Sequence, residues 1–434
     1  MSITSDPWPS PETLGCPSSG AAVWWLGQAG FLIEMGGLRI VIDAYLSDSL
    51  AEKYKGQKFP HIRMTQAPVG PGDLEGIDWL LCTHGHTDHM DPGTIPPLLA
   101  ANPEAKVVVP RSDVARAKER GVWQDRLVAV NDGEWLDLGG VTLFATPAAH
   151  ETLSRDGQGN AQFLGYALRG PDATIWHSGD TIPFPGLVES VAPLLVDLVL
   201  LPVNGRDKVR ASNGVPGNLT LEEAVALTEE VGAGAMLGHH LDLFDFNTLD
   251  RDVGQKWLSK NADCSRVRLV ELGKRYVVRS KSAGTPRKIL AICRGNICRS
   301  PLAEGILADL LKHRSDWVVD SAAIKNWNVG CAPDKRSINI AKTHGLDLTR
   351  QRARQITSAD FRDFDLILAM DADNCTALAE IAPVDATARV LRLGDLIRPG
   401  QRHDIADPYD FGEAEFEKCF AEISTACVQL AKRI

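Results

Sequence analysis

Four apolar residues, Ile289-Leu290-Ala291-Ile292, run directly into Cys293-Arg294-Gly295-Asn296-Ile297-Cys298-Arg299-Ser300-Pro301. This junction constrains the fold more than any other stretch of the chain. The apolar run reads as a buried strand. The segment after it must curl if Arg299 is to return to Cys293, six residues behind it. In such a curl successive N–H groups point inward and form an anion nest, which the N-terminus of a helix over 301–311 reinforces. Strand, nest and helix together imply a doubly wound parallel sheet whose site lies at the carboxyl end of its first strand. The same positive field favours the anionic form of Cys293, which gives a thiolate nucleophile beside a phosphate-binding arginine. A buried, inert cysteine in an ordinary strand-to-helix turn would not need this spacing.

The segment resembles the active-site loop of the low-molecular-weight protein tyrosine phosphatases, and the likeness runs from about Arg287 to the C-terminus. Asp320-Ser321-Ala322 followed by Trp327-Asn328-Val329-Gly330 resembles that family's second segment, where an aromatic residue lines the pocket mouth. Asp365-Leu366-Ile367-Leu368-Ala369-Met370-Asp371 resembles its later central strand, and Asp407-Pro408-Tyr409 its general-acid loop. The resemblance implies a division of labour. Cys293 attacks phosphorus, Arg299 clamps two phosphoryl oxygens, Ser300 hydrogen-bonds the thiolate and Asn296 braces the loop. Asp407 protonates the departing alkoxide and then activates the water that hydrolyses the phosphocysteine. Arg294, Gly295, Asn296, Ile297, Cys298 and Ser300 make the phosphate-binding loop, and no cofactor is required.

Single positions refine this picture. Ile297 stands where the tyrosine-directed branch of the family carries a branched apolar residue and the arginine-phosphatase branch a threonine, which favours an aryl phosphate or another ester over phosphoarginine. Arg294 departs from the family's small or apolar residue; it either selects a more anionic substrate or is a solvated side chain. Cys298 is either a partner for a protective disulfide with Cys293 or a passive buried thiol. Cys331 and Cys375 lack the arrangement that arsenate reduction on this scaffold would need.

A second, independent chemistry occupies the first two-thirds of the chain. Thr83-His84-Gly85-His86-Thr87-Asp88-His89 follows the apolar run Trp79-Leu80-Leu81-Cys82. In an extended segment alternate side chains point the same way, so His84 and His86 converge. Asp88 and His89 then turn toward a second position. One histidine is usually structural, but three with an aspartate within six residues bind metal. The pattern is that of the metallo-β-lactamase superfamily, which implies further ligands at His150, Asp180 and His240, each after an apolar run. The implied assignment is His84, His86 and His150 on one ion, Asp88, His89 and His240 on the other, and Asp180 shared. His239 competes with His240 as the last ligand, and His177 is structural or supports the ligands. Two divalent cations roughly 3.5–4 Å apart would activate water and polarise the scissile bond. A nitrogen and oxygen donor set fits zinc and manganese alike.

Within that superfamily the chain is similar to the L-ascorbate-6-phosphate lactonase group from about Ala21 to Val278. The likeness rests on Trp25-Leu26-Gly27-Gln28-Ala29-Gly30-Phe31, on Asp43, and on Leu201-Pro202-Val203-Asn204-Gly205-Arg206-Asp207. It implies an αβ/βα sandwich of two mixed sheets flanked by helices, one of them over 220–231 with Thr220 as cap and Glu222 and Glu223 in its first turn. Asn204, Arg206 and Arg210 either hold an anionic substrate or form a solvated loop.

Length and composition agree with two enzymes in one chain. A chain of 434 residues allows two or three domains. The domains are placed at 1–278 and 287–434, joined by a polar, turn-prone linker over 279–286. Eight of the eleven histidines precede that linker, as expected if only the first domain binds metal. A net charge of −10 opposes nucleic-acid binding, which wants a basic face. No apolar run reaches membrane length and the N-terminus lacks a signal pattern. Nine scattered cysteines, one of them a nucleophile, suit a reducing cytoplasm. The expected partners are therefore a phosphorylated small molecule or a phosphotyrosine protein. One reading is a bifunctional hydrolase that opens a sugar-lactone phosphate and removes phosphate from an ester. The alternative is a regulatory tyrosine phosphatase whose metal domain senses a ligand, and the complete ligand set weighs against it.

Overall fold

The computed structural model describes residues 20–279 and 285–434, and residues 4–7 by their backbone. Most of the expected linker, 280–284, and most of the N-terminal stretch lie outside the described residues. The chain divides into two compact units, Met1–Phe184 with Val196–Ala283, and Pro185–Leu195 with Gly284–Ile434.

The first unit holds two mixed sheets. In one of eight strands, Ala21–Gly27, Gly30–Met35 and Leu38–Ile42 run antiparallel, and Trp79–Leu81, Lys106–Pro110 and Leu127–Val130 continue it in parallel. In the other, of seven, Thr174–His177, Leu198–Pro202, Ala235–His239 and Val267–Leu269 are parallel, whereas Leu164–Arg169, Thr142–Pro147 and Trp135–Asp137 are antiparallel. Ala21–Gly27 is buried at every position, as a strand covered on both faces must be. Trp24, Leu32, Val41, Leu80 and Val107 form one core with Leu98 of the helix Ile95–Ala101. The helix expected over 220–231 spans Leu221–Glu230. Its start is a capping box: Thr220 accepts from the Glu223 amide, and the Glu223 carboxylate accepts from the Thr220 amide. The central strands all end near one rim, which brings the loops carrying the histidines together.

The second unit is a four-stranded parallel sheet in the spatial order Trp317–Ala323, Arg287–Cys293, Leu366–Ala369, Arg389–Arg392. Alternation along Arg287–Cys293 feeds two cores. Ile289 and Ala291 pack with Leu302, Ile306 and Ile423, while Leu290 and Ile292 pack with Phe361, Ile367 and Leu378. The sheet is thus covered by helices on both faces. The first strand lies between the second and third, so its carboxyl end opens at the point where strand order reverses, the natural crevice of this architecture. The helix after the loop is Arg299–Leu310, beginning two residues before the expected start with Cys298 at its cap position. Among the described residues no helix is long and apolar enough to cross a membrane.

Candidate functional site

Cys293 ends its strand and is 3% exposed. Around it the loop closes as the spacing requires. The Asn296 amide donates to Cys293 Sγ at 3.2 Å, and the Ser300 hydroxyl donates to the same sulfur at 3.1 Å. Asn296 adopts the left-handed conformation at φ 53°, which an asparagine tolerates better than most residues. Its side-chain amide spends both protons, one on Ser300 Oγ at 2.9 Å and one on Ser321 Oγ at 2.8 Å. With both hydroxyl oxygens acting as acceptors, their protons are directed onward. That of Ser300 goes to the sulfur, and that of Ser321 to the carboxylate of Glu304. The loop thus presents two donors to the sulfur, an arrangement suited to holding it as an anion.

Arg299 is 2% exposed; both terminal nitrogens of its guanidinium are engaged, while Nε is buried with no hydrogen-bond partner among the described residues. Nη1 donates to Asp371 and to the Ile405 carbonyl, and Nη2 donates to Asp407 Oδ2 at 2.6 Å. The structure therefore brings Cys293, Arg299, Ser300 and Asp407 into one cluster, although Asp407 lies 108 residues from Arg299. Gly295 and Ile297 line the loop, with their carbonyls held by Asn328 Nδ2 and the Asp334 amide. Arg294 is exposed and stands 5.2 Å over the ring of Trp327, itself 63% exposed. Its charge therefore sits on the outer surface of the loop. Cys298 is a free thiol, and burial together with the neighbouring Cys293 pushes it far above the ordinary thiol range.

Asp371 carries no spacing signal in the sequence. It sits at the carboxyl end of Leu366–Ala369, caps the helix Ala372–Ile381 by accepting from the Asn374 amide, and anchors Arg299. Asparagine would keep the cap but remove the charge. Asp371→Asn is expected to lower kcat/KM for 4-nitrophenyl phosphate by roughly 10–100-fold, the worth of one charge-assisted hydrogen bond. Steady-state kinetics checks this; an unchanged value would reduce Asp371 to a helix cap.

In the first unit the seven predicted ligands meet at one place. Their donor atoms form three overlapping groups, His84 with His86 and His150, His84 with His89 and Asp180, and Asp88 with His89 and His240. Asp180 Oδ2 lies 3.3 Å from His89 Nε2, 3.4 Å from His150 Nε2 and 3.3 Å from His240 Nε2. The backbone is built for this convergence. Gly179 sets up Asp180 at φ 63°, where a Cβ would meet the Leu164 carbonyl oxygen at 2.4 Å. At Gly85, between His84 and His86, a Cβ would meet the buried Asp113 carboxylate at 2.4 Å. His240 follows the end of Ala235–His239 at φ 64° and turns into the cluster. His239 instead packs between Phe31 and His177, with ring centroids 5.2 and 4.9 Å away, outside the ligand groups.

These residues fit divalent cations. His84 Nε2, His89 Nε2 and Asp180 Oδ1 are buried with no hydrogen-bond partner among the described residues, and such orphans are costly unless something binds them. Burial, then the neighbouring His89 and His86, holds His84 well below its usual range, so its ring offers a lone pair. Burial and His150 bring His86 down to about 4. Burial alone would raise Asp180, but His240 and His89 hold it well below the ordinary carboxylate range.

Two residues of the lactonase-like segments support the ligands. Asp43 Oδ2 accepts from His89 Nδ1 at 2.7 Å and from the Thr83 hydroxyl at 2.6 Å, fixing which nitrogen of His89 faces the cluster. Gln28 Nε2 donates to Asp88 Oδ2 at 3.0 Å and lies 3.2 Å from His240 Nε2. Their signals were weak ones, a lone carboxylate closing an apolar strand and an amide inside a glycine turn. His177 is supporting: its ring bonds the Ala29 carbonyl and accepts from the Gly179 amide. Arg206 is spent on Glu223 and Arg210 on Asp207, so neither guanidinium is a free anion receptor. Above the cluster opens a cavity of about 1050 Å³.

Known proteins resemble each part of the chain. The family model for low molecular weight phosphotyrosine protein phosphatase matches residues 288–434, and that for the beta-lactamase superfamily domain matches residues 38–241. Low molecular weight phosphotyrosine protein phosphatase 2 of Drosophila melanogaster is 40% identical over 150 residues, 33% of this chain and 90% of the fly protein. The low molecular weight protein-tyrosine-phosphatase YfkJ of Bacillus subtilis is 37% identical over 149 residues, 34% of this chain and 94% of that protein. Among solved structures, a metallo hydrolase from the archaeon Ignicoccus hospitalis covers 60% of this chain and 99% of its own, at 19% identity and a TM-score of 0.43. This chain is a hydrolase that belongs, through its carboxyl-terminal domain, to the low molecular weight phosphotyrosine protein phosphatase family, and it carries a beta-lactamase superfamily domain on the same polypeptide.

Proposed function

We propose that the chain is a bifunctional hydrolase. Its second unit cleaves phosphomonoesters of the phosphotyrosine type through a phosphocysteine, and its first opens a sugar-lactone phosphate with two divalent cations, zinc or manganese. The observation that carries the phosphatase reading is Cys293 Sγ held by Ser300 and the Asn296 amide within a cluster that also contains Arg299 and Asp407.

A substrate's phosphoryl oxygens take over the Arg299 fork from Asp407, which frees that carboxyl to face the leaving oxygen. The thiolate attacks phosphorus, the P–O ester bond breaks, and Asp407 gives its proton to the departing alkoxide. Asp407 then takes a proton from water as the water attacks phosphorus. The S–P bond breaks, inorganic phosphate leaves and the thiolate returns. The Asp407 side chain is 42% exposed, so it can exchange protons with solvent between these steps.

In the first unit, bound cations would supply Lewis acidity and an activated water. The chain supplies the rest. His84, His86 and His150 hold one position, Asp88, His89 and His240 the other, and Asp180 serves both. Asp43 fixes the His89 tautomer, and Gln28 orients Asp88. The cavity above offers polar side chains to a hydroxylated substrate.

The test is one reaction in one tube. Metal-loaded protein is incubated with L-ascorbate 6-phosphate while acid and inorganic phosphate are both followed. Acid release is expected, with 4-nitrophenyl phosphate turned over in a parallel tube. Phosphate appearing after acid would mean that the two sites share a substrate. No acid would remove the lactone reading and leave the phosphatase standing.

A further inference from the structure

His61 lines the metal-site cavity but belongs to none of the ligand groups. It is one of seven non-glycine residues at positive φ among those described, at 53°. Gln28, Asp43 and His240 are three of the others, and each either belongs to the metal cluster or hydrogen-bonds one of its members. A left-handed histidine persists only where its surroundings hold it, and such residues gather at working sites.

What holds His61 is aromatic. Its ring stacks on Tyr54 at 4.2 Å between centroids, and meets Phe244 and Phe246 edge-on at 5.0 and 4.8 Å. Phe246 in turn packs on Phe59 at 4.8 Å. Lys58 ties this segment to Asn213 on another wall of the same cavity. The ring's hydrogen bonding is equally defined. Nδ1 lies 2.7 Å from the Phe59 carbonyl oxygen. A carbonyl can only accept, so Nδ1 carries the proton and Nε2 presents a lone pair. Nε2 has no hydrogen-bond partner among the described residues. Burial lowers the ring's pKa, which keeps that lone pair available, although the hydrogen bond to the Phe59 carbonyl and then the charge of Asp88 act in the opposite sense.

We infer that His61 is a substrate-contacting residue of the metal site. Its Nε2 accepts a hydrogen bond from a hydroxyl of a ring-shaped polyol whose apolar C–H face rests on the partly exposed rings of Tyr54 and Phe246, backed by the buried Phe244. An aromatic flank with one fixed acceptor selects a hydroxylated ring over a hydrocarbon chain, which would use the flank and ignore the acceptor. This inference rests on the reading of the histidine cluster as a hydrolytic metal site.

The test uses two hydrolysis-resistant rings that carry no phosphate, so that Cys293 is not engaged. D-Glucono-1,5-lactam bears hydroxyls, whereas δ-valerolactam is a six-membered lactam ring without them. Calorimetric titration of the metal-loaded full chain is expected to show the glucono-lactam binding at least about tenfold more tightly, the scale of one or two net hydrogen bonds. His61→Asn tolerates the left-handed backbone but brings no acceptor to the same place, and it should cut that ratio by about tenfold with metal content unchanged. Phe246→Leu should weaken both lactams alike and leave the ratio intact. Equal binding of the two lactams by the wild-type chain, or an unchanged ratio in His61→Asn, overturns the inference. A wild-type chain that takes up no metal removes the hydrolytic reading instead. The lactam ratio, measured on that metal-free chain, would still decide the role of His61.

Discussion

Cys293→Ser is expected to abolish phosphate release from 4-nitrophenyl phosphate, by a factor of about 10⁴ or more, while leaving phosphate binding in place. A nucleophile removed from a site that works as a unit costs on this scale. The reason here is specific. The Asn296 amide and the Ser300 hydroxyl both point their protons at the sulfur, an environment arranged for an anion. A serine hydroxyl is not ionised at neutral pH, and no base stands against Cys293 to take its proton: its polar contacts are donors. The substitution is small and the sulfur is buried, so the fold and Arg299 should be unaffected. The variant should therefore still bind inorganic phosphate, with a dissociation constant within a few-fold of wild type. Calorimetry alongside the colorimetric assay separates the two effects. Residual turnover above about 1% of wild type would place the nucleophile elsewhere; lost binding as well as turnover would mean that the loop had collapsed. Metal uptake by the first unit should not change, because no predicted ligand lies after residue 240.

The residues legible in the sequence are those whose function is written as spacing along one segment. Cys293 to Ser300 are within seven residues, and their hydrogen bonds close that short loop. His84, His86, Asp88 and His89 are equally local. His150, Asp180 and His240 could be sought because each follows an apolar run that had to be a strand, and strands of one sheet end at one rim. What stayed hidden are pairings made only by the fold. Asp371 lies 72 residues from Arg299, Asp43 is 46 from His89, and Gln28 is 60 from Asp88. A lone carboxylate or amide gives no periodic signal, and its meaning comes from the partner that topology delivers. The aromatic wall is the same case. Tyr54 and His61 come from one loop and Phe244 and Phe246 from another, and nothing in either segment announces the other. Backbone conformation was the other blind spot. Glycines advertise positive φ, but Gln28, Asp43, His61 and His240 adopt it under tertiary constraint.

The second large effect is expected from Asp180→Ala. Asp180 Oδ2 stands between three imidazole nitrogens at 3.3–3.4 Å, and its Oδ1 is buried with no hydrogen-bond partner among the described residues. No other ligand reaches both halves of the cluster so evenly. Two ligand carboxylates, Asp88 and Asp180, would face the four charges of two dications, with Asp43 behind His89, and the imidazoles add none. Removing the shared carboxylate therefore strips the charge compensation from both positions at once. The variant should retain one equivalent of metal or less, against the two expected for the wild-type chain, and lactone opening should fall by about 10³ or more. Elemental analysis after gel filtration measures the first, and acid release the second. Bound metal also stabilises the folded state by mass action, by about 4 kcal/mol at a thousandfold excess over the dissociation constant. Chelation should accordingly lower the melting temperature of wild type more than that of Asp180→Ala. Turnover of 4-nitrophenyl phosphate at Cys293 should be indifferent to both treatments, since no member of that cluster is a predicted ligand. Two equivalents of metal in Asp180→Ala, with acid release intact, would remove the shared-carboxylate assignment. A parallel loss of phosphatase turnover would show instead that the two chemistries depend on each other.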